Sequence, residues 1–187
     1  MEGHDMLPLD RIRALLLEHD DPRHLERPAD FDLVTSRNCF AGLVSSVKER
    51  FGPSFSSGLG QDTSFYGVID VPADTTGLGR PLYIMMSNFG DYFVTARVGA
   101  GEDVPGGEEG LPEELATWFD GVCTELGCTF VPPELLREPY DGPTRLAPAE
   151  DVELVAVLVA AGVMDEDEED DEELGKTNWY DRYFDYM

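Results

Sequence analysis

The feature of this sequence that most constrains its fold is a block of charge placed directly before an aromatic C-terminus. Residues 165–173 are nine consecutive acids, and residues 177–187 contain five of the chain's 19 Phe, Trp and Tyr side chains. A run of like charges stays solvated, whereas an aromatic cluster is stabilised by burial. We therefore expect an acidic, flexible linker, residues 165–176, that tethers an aromatic C-terminal segment, residues 177–187, to a docking surface.

The aromatic segment has the spacing of a short amphipathic helix, which Thr177 or Asn178 can cap. Its candidate contact residues are the five aromatic side chains Trp179, Tyr180, Tyr183, Phe184 and Tyr186. A helix this short is marginal in isolation, so it needs a surface. Packing on its own domain is one interpretation. Recognition of a partner, or of a second copy of the chain, is the alternative.

The chain is acidic well beyond this block. Its 187 residues contain 39 Asp and Glu against 13 Lys and Arg, a formal net charge of −26. Such a surface repels nucleic acid and anionic membranes, and it attracts basic proteins. Four acids of a Gly-rich loop are further candidate partner-binding residues: Glu102, Asp103, Glu108 and Glu109. Solubility or adaptation to salt is the alternative interpretation of the charge.

Cysteine usage and the N-terminus predict a cytoplasmic protein. Cys39, Cys123 and Cys128 form an odd, small set, which is typical of reduced thiols. The N-terminal residues lack the basic and then apolar regions of a signal peptide. The longest nearly apolar run, residues 152–164, is too short to span a bilayer.

Two helices are predicted in the first third of the chain. The first begins at Pro8 and runs to about His19. The second is capped by Thr35 or Ser36 and ends at Gly52. Its apolar face has five residues at helical spacing: Phe40, Leu43, Val44, Val47 and Phe51.

Three strands are predicted between residues 65 and 98. The runs 65–71, 82–87 and 92–98 are rich in strand-forming residues, and turn residues separate them at 73–79 and 88–91. These runs predict an antiparallel meander.

Three shorter segments have weaker patterns. Residues 128–131 predict a short fourth strand, and residues 31–34 predict a short strand or an extended lead-in to the second helix. Residues 55–61, rich in Ser and Gly, predict a flexible connection.

A third amphipathic helix is predicted between Pro112 and Gly127. Its apolar face consists of Leu115, Trp118, Phe119, Val122 and Leu126. Residues 148–162 predict a last helix, with a strand as the alternative because valines are frequent there. Grouped strands with flanking helices predict an α+β fold. We expect a single domain, residues 1–164, in which amphipathic helices cover a small antiparallel sheet of three or four strands.

No motif in the sequence assembles a catalytic, metal or cofactor site. All three histidines lie within the first 24 residues, and Cys123 and Cys128 lack the second ligand pair that structural zinc needs. The glycine pairs at 58–60 and 77–79 lack the Lys-Ser/Thr that follows a phosphate-binding loop. We expect no catalytic residues, no metal, no cofactor, and neither nucleic acid nor membrane as a partner.

The sequence therefore predicts a small acidic binding protein that neutralises or regulates a basic protein partner. Bacterial immunity proteins and inhibitors of basic toxins share this charge and size, an analogy of physical profile alone. Acidic side chains would occupy a basic cleft, and aromatic anchors would prolong the complex. The alternatives are an enzyme whose site is assembled from scattered Asp, His and Tyr residues, and a scaffold that forms homodimers through its C-terminal segment.

Overall fold

The computed structural model describes residues 6–60, 65–89, 92–99, 110–144 and 177–185. These residues form helices α1 (Leu9–Glu18), α2 (Leu33–Phe51), α3 (Ala73–Thr76), α4 (Glu113–Leu126), α5 (Pro133–Leu136) and α6 (Trp179–Tyr183). The strands are β1 (Ser56–Leu59), β2 (Phe65–Val71), β3 (Leu82–Ser87), β4 (Phe93–Val98) and β5 (Thr129–Phe130). Helices flank a single sheet, which confirms the predicted α+β class.

The five strands form one mixed sheet in the order β1-β2-β3-β4-β5. Strands β1 to β4 are antiparallel. Strand β5 lies parallel to β4, with Phe93 opposite Thr129 and Val94 opposite Phe130. Helix α4 lies in the connection between them, because a parallel pair needs a crossover. The predicted antiparallel sheet of three or four strands is therefore wrong in strand number and in the direction of its last strand.

Strand β1 is the element that the sequence does not reveal. Ser and Gly dominate residues 55–61, yet Ser56 pairs with Asp70 and Leu59 pairs with Gly67. All four residues of β1 are exposed, so no alternation of apolar and polar side chains marks the strand. The prediction of a flexible connection is wrong because pairing with β2, a tertiary contact, determines this conformation.

One face of the sheet carries the main core under α2 and α4. Strands β3 and β4 contribute alternate residues to this core, such as Ile84 and Val94. The two helices contribute residues of the predicted apolar faces, of which Phe40, Leu43, Val47 and Phe119 are buried in this core. The helices approach closely at Gly42, where an added Cβ would lie 2.4 Å from a side-chain carbon of Leu126.

The opposite face of the sheet packs against α1, α5 and α6. Met85 and Phe93 belong to this side, since they alternate with the main-core residues of β3 and β4. The buried members of this second cluster are Ile12, Leu16, Phe89, Phe93, Val131, Leu135, Leu136, Trp179, Tyr183 and Phe184. The C-terminal segment is therefore part of a hydrophobic core.

Helix α2 begins earlier than predicted. Its N-cap is Asp32, whose carboxylate accepts hydrogen bonds from the N–H groups of Val34 at 2.8 Å and Thr35 at 3.3 Å. The hydroxyl of Thr35 and these two N–H groups lower the pKa of the Asp32 carboxyl. The predicted cap at Thr35 or Ser36 is wrong because Asp32 satisfies the first free N–H groups.

Other helix boundaries agree with the sequence. Helix α1 follows Pro8, and α4 lies between Pro112 and Gly127. Gly127 ends α4 in the left-handed conformation, with a φ of 73°. The predicted turn at residues 73–79 contains the single-turn helix α3.

Residues 145–176 lie outside the described part of the chain. The predicted helix or strand at 148–162, the domain boundary at residue 164 and the acidic linker at 165–176 therefore stay predictions. Among the described helices, none combines the length and apolar character that crossing a bilayer requires.

Replacing Gly42 by valine is expected to destabilise the protein by about 1–3 kcal/mol, because the new side chain collides with Leu126. Ala41→Val, at an exposed neighbouring position, is the control and costs less than about 1 kcal/mol through helix propensity. Urea unfolding measures both variants. Equal losses would show that α2 and α4 do not meet at Gly42.

Candidate functional site

The predicted C-terminal helix exists and packs on its own domain. Trp179, Tyr183 and Phe184 are each 0% exposed, and Tyr180 is half-buried. Of the two interpretations of this segment, the structure therefore shows intramolecular docking. A partner could reach the three buried rings only after α6 leaves the domain.

Local hydrogen bonds hold α6 in place at its N-terminus. The side chain of Asn178 accepts a bond from the N–H of Asp181 at 3.1 Å, and the Asp181 carboxylate accepts from the N–H of Asn178 at 2.8 Å. This reciprocal capping stabilises a helix of only five residues. The N–H of Tyr140 donates to the carbonyl of Thr177 at 2.9 Å, which joins the segment to the loop after α5.

Tyr183 lies at the centre of the aromatic contacts. Its ring meets Phe89 and Phe93 edge-on, at centroid distances of 5.5 Å and 5.2 Å, and stacks on Trp179 at 6.2 Å. Its hydroxyl donates a hydrogen bond to the backbone carbonyl of Leu16. Burial raises the pKa of Tyr183 well above its ordinary value. The phenol therefore stays protonated and ties α6 to α1.

Arg182 forms a fully buried ion pair with Asp20. The Nε atom of Arg182 lies 2.8 Å from Oδ1 of Asp20, and both side chains are 0% exposed. The guanidinium also donates to the backbone carbonyls of Leu25 at 2.9 Å and His24 at 3.3 Å. It lies 4.5 Å from the centroid of Phe89. Such extra contacts offset the desolvation of a buried charge pair.

Asp20 accepts two further hydrogen bonds, one at each carboxylate oxygen. The hydroxyl of Thr144 donates to Oδ1 at 2.5 Å, and the hydroxyl of Tyr140 donates to Oδ2. The N–H of Thr144 in turn donates to the Tyr140 hydroxyl at 2.8 Å. At Gly142, an added Cβ would lie 2.3 Å from Oδ2 of Asp20, so a larger residue would displace this network.

The arrangement of this network favours a structural role over proton transfer. Burial and the hydrogen bond to Asp20 raise the pKa of Tyr140 to about 12, so the phenol remains a donor. Both Asp20 oxygens are occupied by Arg182, Thr144 and Tyr140. An incoming substrate would have to compete with these contacts for the carboxylate.

The remaining candidate partner-binding residues have different positions. Tyr180 is the only described aromatic residue of the segment that stays partly exposed; its hydroxyl lies 3.1 Å from the sulfur of Met85, and Arg97 lies 5.8 Å from its ring centroid. Tyr186, Glu102, Asp103, Glu108 and Glu109 lie outside the described residues. Their predicted role in partner binding is untested.

The cysteines are free and buried, as the sequence predicts for reduced thiols. Burial raises the pKa of Cys123 well above its ordinary value, which disfavours a reactive thiolate. Within the described ranges, no group of three or more His, Cys, Asp and Glu side chains is placed to hold a metal ion.

The described surface includes two open clefts. The first, of about 660 Å³, is lined by the loop before α2, including Arg23, Arg27 and Phe31. The second, of about 520 Å³, lies between α2 and α4 and includes Trp118 and Gly121. Neither cleft is predicted from the sequence, although a glycine inside the amphipathic pattern of α4 is a signal for the second.

Comparisons with protein-family models, with curated proteins and with solved structures find no match to this chain. The function must therefore be inferred from the residues and their geometry.

Replacing Arg182 by methionine is expected to destabilise the protein by about 3–5 kcal/mol, because Asp20 is left as a buried charge without its cation. Adding Asp20→Asn should recover part of this loss, which a double-mutant cycle measures by chemical unfolding. Arg23→Met is the matched control, since it breaks an exposed Arg–Asp pair. Equal effects of the two methionine variants would contradict a structural role for the buried pair.

The protein is expected to lose stability between about pH 10 and pH 12, because Tyr140 has its pKa raised from 10.0 to about 12 in the folded state. When folding raises a pKa, the resulting stabilisation is complete below the pKa of the unfolded state. It is lost as the pH rises to the pKa of the folded state. Circular dichroism and tyrosinate absorbance should change together in this range. The Tyr140→Phe variant identifies the part of the absorbance change that belongs to Tyr140. Ionisation of Tyr140 near pH 10, with native circular dichroism, would contradict the network.

Proposed function

We propose that this chain is an acidic binding protein that neutralises or regulates a basic protein partner. The observation that carries the proposal is how the chain uses its few basic residues. Six arginines contact acids or aromatic rings of the same chain: Arg13, Arg23, Arg27, Arg50, Arg97 and Arg182. Arg13, Arg23, Arg50 and Arg182 are paired with carboxylates of the same chain. Because 39 acids face only 13 bases, unpaired carboxylates remain in excess and dominate the field that a partner meets.

The surplus of acids is unevenly distributed along the chain. The described residues contain 19 acids and 11 bases, whereas the other residues contain 20 acids and 2 bases. The segments 100–109 and 145–176 supply most of the second group. We infer that Glu102, Asp103, Glu108 and Glu109 contribute to the attraction of the partner.

In the proposed mechanism, different interactions set the association rate and the lifetime of the complex. The net charge of −26 steers a basic protein toward the chain, and the effect falls off over about 8 Å at physiological ionic strength. Complementary contacts at short range then set the lifetime of the complex. A toxin with a basic cleft, of the kind that immunity proteins and inhibitors block, is the partner class that we infer. The three free, buried thiols are compatible with a cytoplasmic location.

Two other functions have less support in the described residues. An enzyme could use Asp20 and Tyr140, which do come together, but their hydrogen-bonding groups are already paired with one another and with Arg182 and Thr144. A homodimer built on the C-terminal segment would have to replace contacts that α6 makes with its own domain.

The immobilised chain is expected to retain a basic protein from its source lysate, in stoichiometric amount, at low salt. It should release this protein at high salt. Salt screens the attraction between exposed charges, so a steep dependence is the expected signature. Mass spectrometry identifies the retained protein, and calorimetry with the purified partner measures its affinity. Retention of nothing, or of neutral proteins insensitive to salt, would contradict the proposal.

A variant in which serine replaces the nine acids of residues 165–173 is the control for that experiment. It should slow association and leave the dissociation rate nearly unchanged, because a solvated charge block acts mainly on the encounter.

A further inference from the structure

Gly121 occupies the middle of α4 without a structural reason within the fold. A Cβ added there would meet nothing within 4 Å, and its backbone is not left-handed. Glycine weakens a helix interior relative to alanine. Gly42 of α2 is different, because its missing side chain makes room for Leu126. The space at Gly121 opens into the groove between α2 and α4, where an approaching ligand would use it.

The wall of this groove already binds one guanidinium group. Arg50 of α2 lies 4.9 Å from the ring centroid of Trp118 and donates a hydrogen bond to Glu114 at 2.9 Å. An aromatic face beside a carboxylate is the combination that a guanidinium prefers. Arg50 is thus held by its own chain, and its charge is compensated by Glu114.

The same groove, whose lining includes Arg50, carries two further carboxylates. Glu49 of α2 and Glu125 of α4 line it from opposite helices, and both are exposed. Neither carboxylate forms an ion pair with a described residue. Half-buried Val122 and Trp118 supply apolar surface between them. A long basic side chain can lay its methylene groups on such surface and place its charge between the carboxylates.

We propose that this groove is where the basic partner inserts an arginine side chain, above Gly121 and between Glu49 and Glu125. The inference rests on the proposed function and deepens it, because it names the recognition surface and the side chain that fits. The surface belongs to two helices anchored in the main core, so it is formed before the partner binds.

A short oligoarginine peptide, titrated into the full-length protein, tests this inference. Calorimetry reports total binding, and tryptophan fluorescence reports the groove, since Trp118 lines it and Trp179 is fully buried. We expect a saturable fluorescence change. Gly121→Leu should abolish that change by filling the space, whereas Gly121→Ala should keep it. Both variants should fold at least as stably as the parent, because both residues favour helix over glycine.

The charge contribution is tested by Glu49→Gln with Glu125→Gln, which should weaken the affinity read from fluorescence about fivefold, since each partly exposed ion pair contributes modestly. Glu18→Gln with Asp74→Asn makes the same change of charge at exposed positions outside the groove and should have little effect.

The outcomes separate this inference from the proposed function. Two results would contradict binding in the groove and leave the proposed function intact. One is calorimetric binding without a fluorescence change, and the other is an equal loss of affinity in the two charge variants. Absence of calorimetric binding at low salt would overturn both.

Discussion

The packing of α1, α5 and α6 on the sheet depends on the buried contact between Asp20 and Arg182. It joins the end of α1 to a helix 162 residues later in the chain, and both charged groups are removed from water. A pair of this kind is stable only when its remaining hydrogen-bonding groups are satisfied. Thr144, Tyr140 and the carbonyls of the loop after α1 meet that requirement. One hydrogen-bonded network therefore joins the end of α1, the loop after α5 and the C-terminal helix.

Local patterns were sufficient to predict much of this structure. The ends of α1 and α4 follow from proline, glycine and apolar spacing, which act within a few residues. Strand β1 could not be predicted in this way, because its residues carry no pattern and take their conformation from β2. The cap of α2 at Asp32 was readable in principle, but the apolar residues after it favoured a strand. The pairing of Asp20 with Arg182 depends on the tertiary fold, although a single arginine among aromatic residues was a signal that it is buried.

The acidic run and the aromatic segment have different roles in this account. The aromatic rings complete a core, whereas the charge can act on a partner at a distance. Residues 165–173 lie between Thr144 and Thr177, and both of these residues are bound to the domain. The chain is therefore anchored to the domain on both sides of this run, and the C-terminal segment is not free to reach a distant surface while α6 is docked.

Partner recognition is then best sought on surfaces that remain open when the core is complete. The groove between α2 and α4 satisfies this condition, and its lining combines carboxylates with an aromatic ring. Attraction by the whole chain and insertion at one site would act in sequence. Such a division lets an acidic protein associate quickly with basic proteins and yet discriminate among them.

The dependence of α6 on the buried Asp20–Arg182 contact is tested by native-state hydrogen exchange at the amides of Trp179 and Phe184, which donate to the carbonyls of Glu138 and Tyr180. If the buried ion pair makes the C-terminal segment part of the cooperative fold, these amides exchange with the same free energy as the core amides of β3. Exchange at a much lower free energy, with β3 still protected, would show that α6 opens independently and would contradict the account.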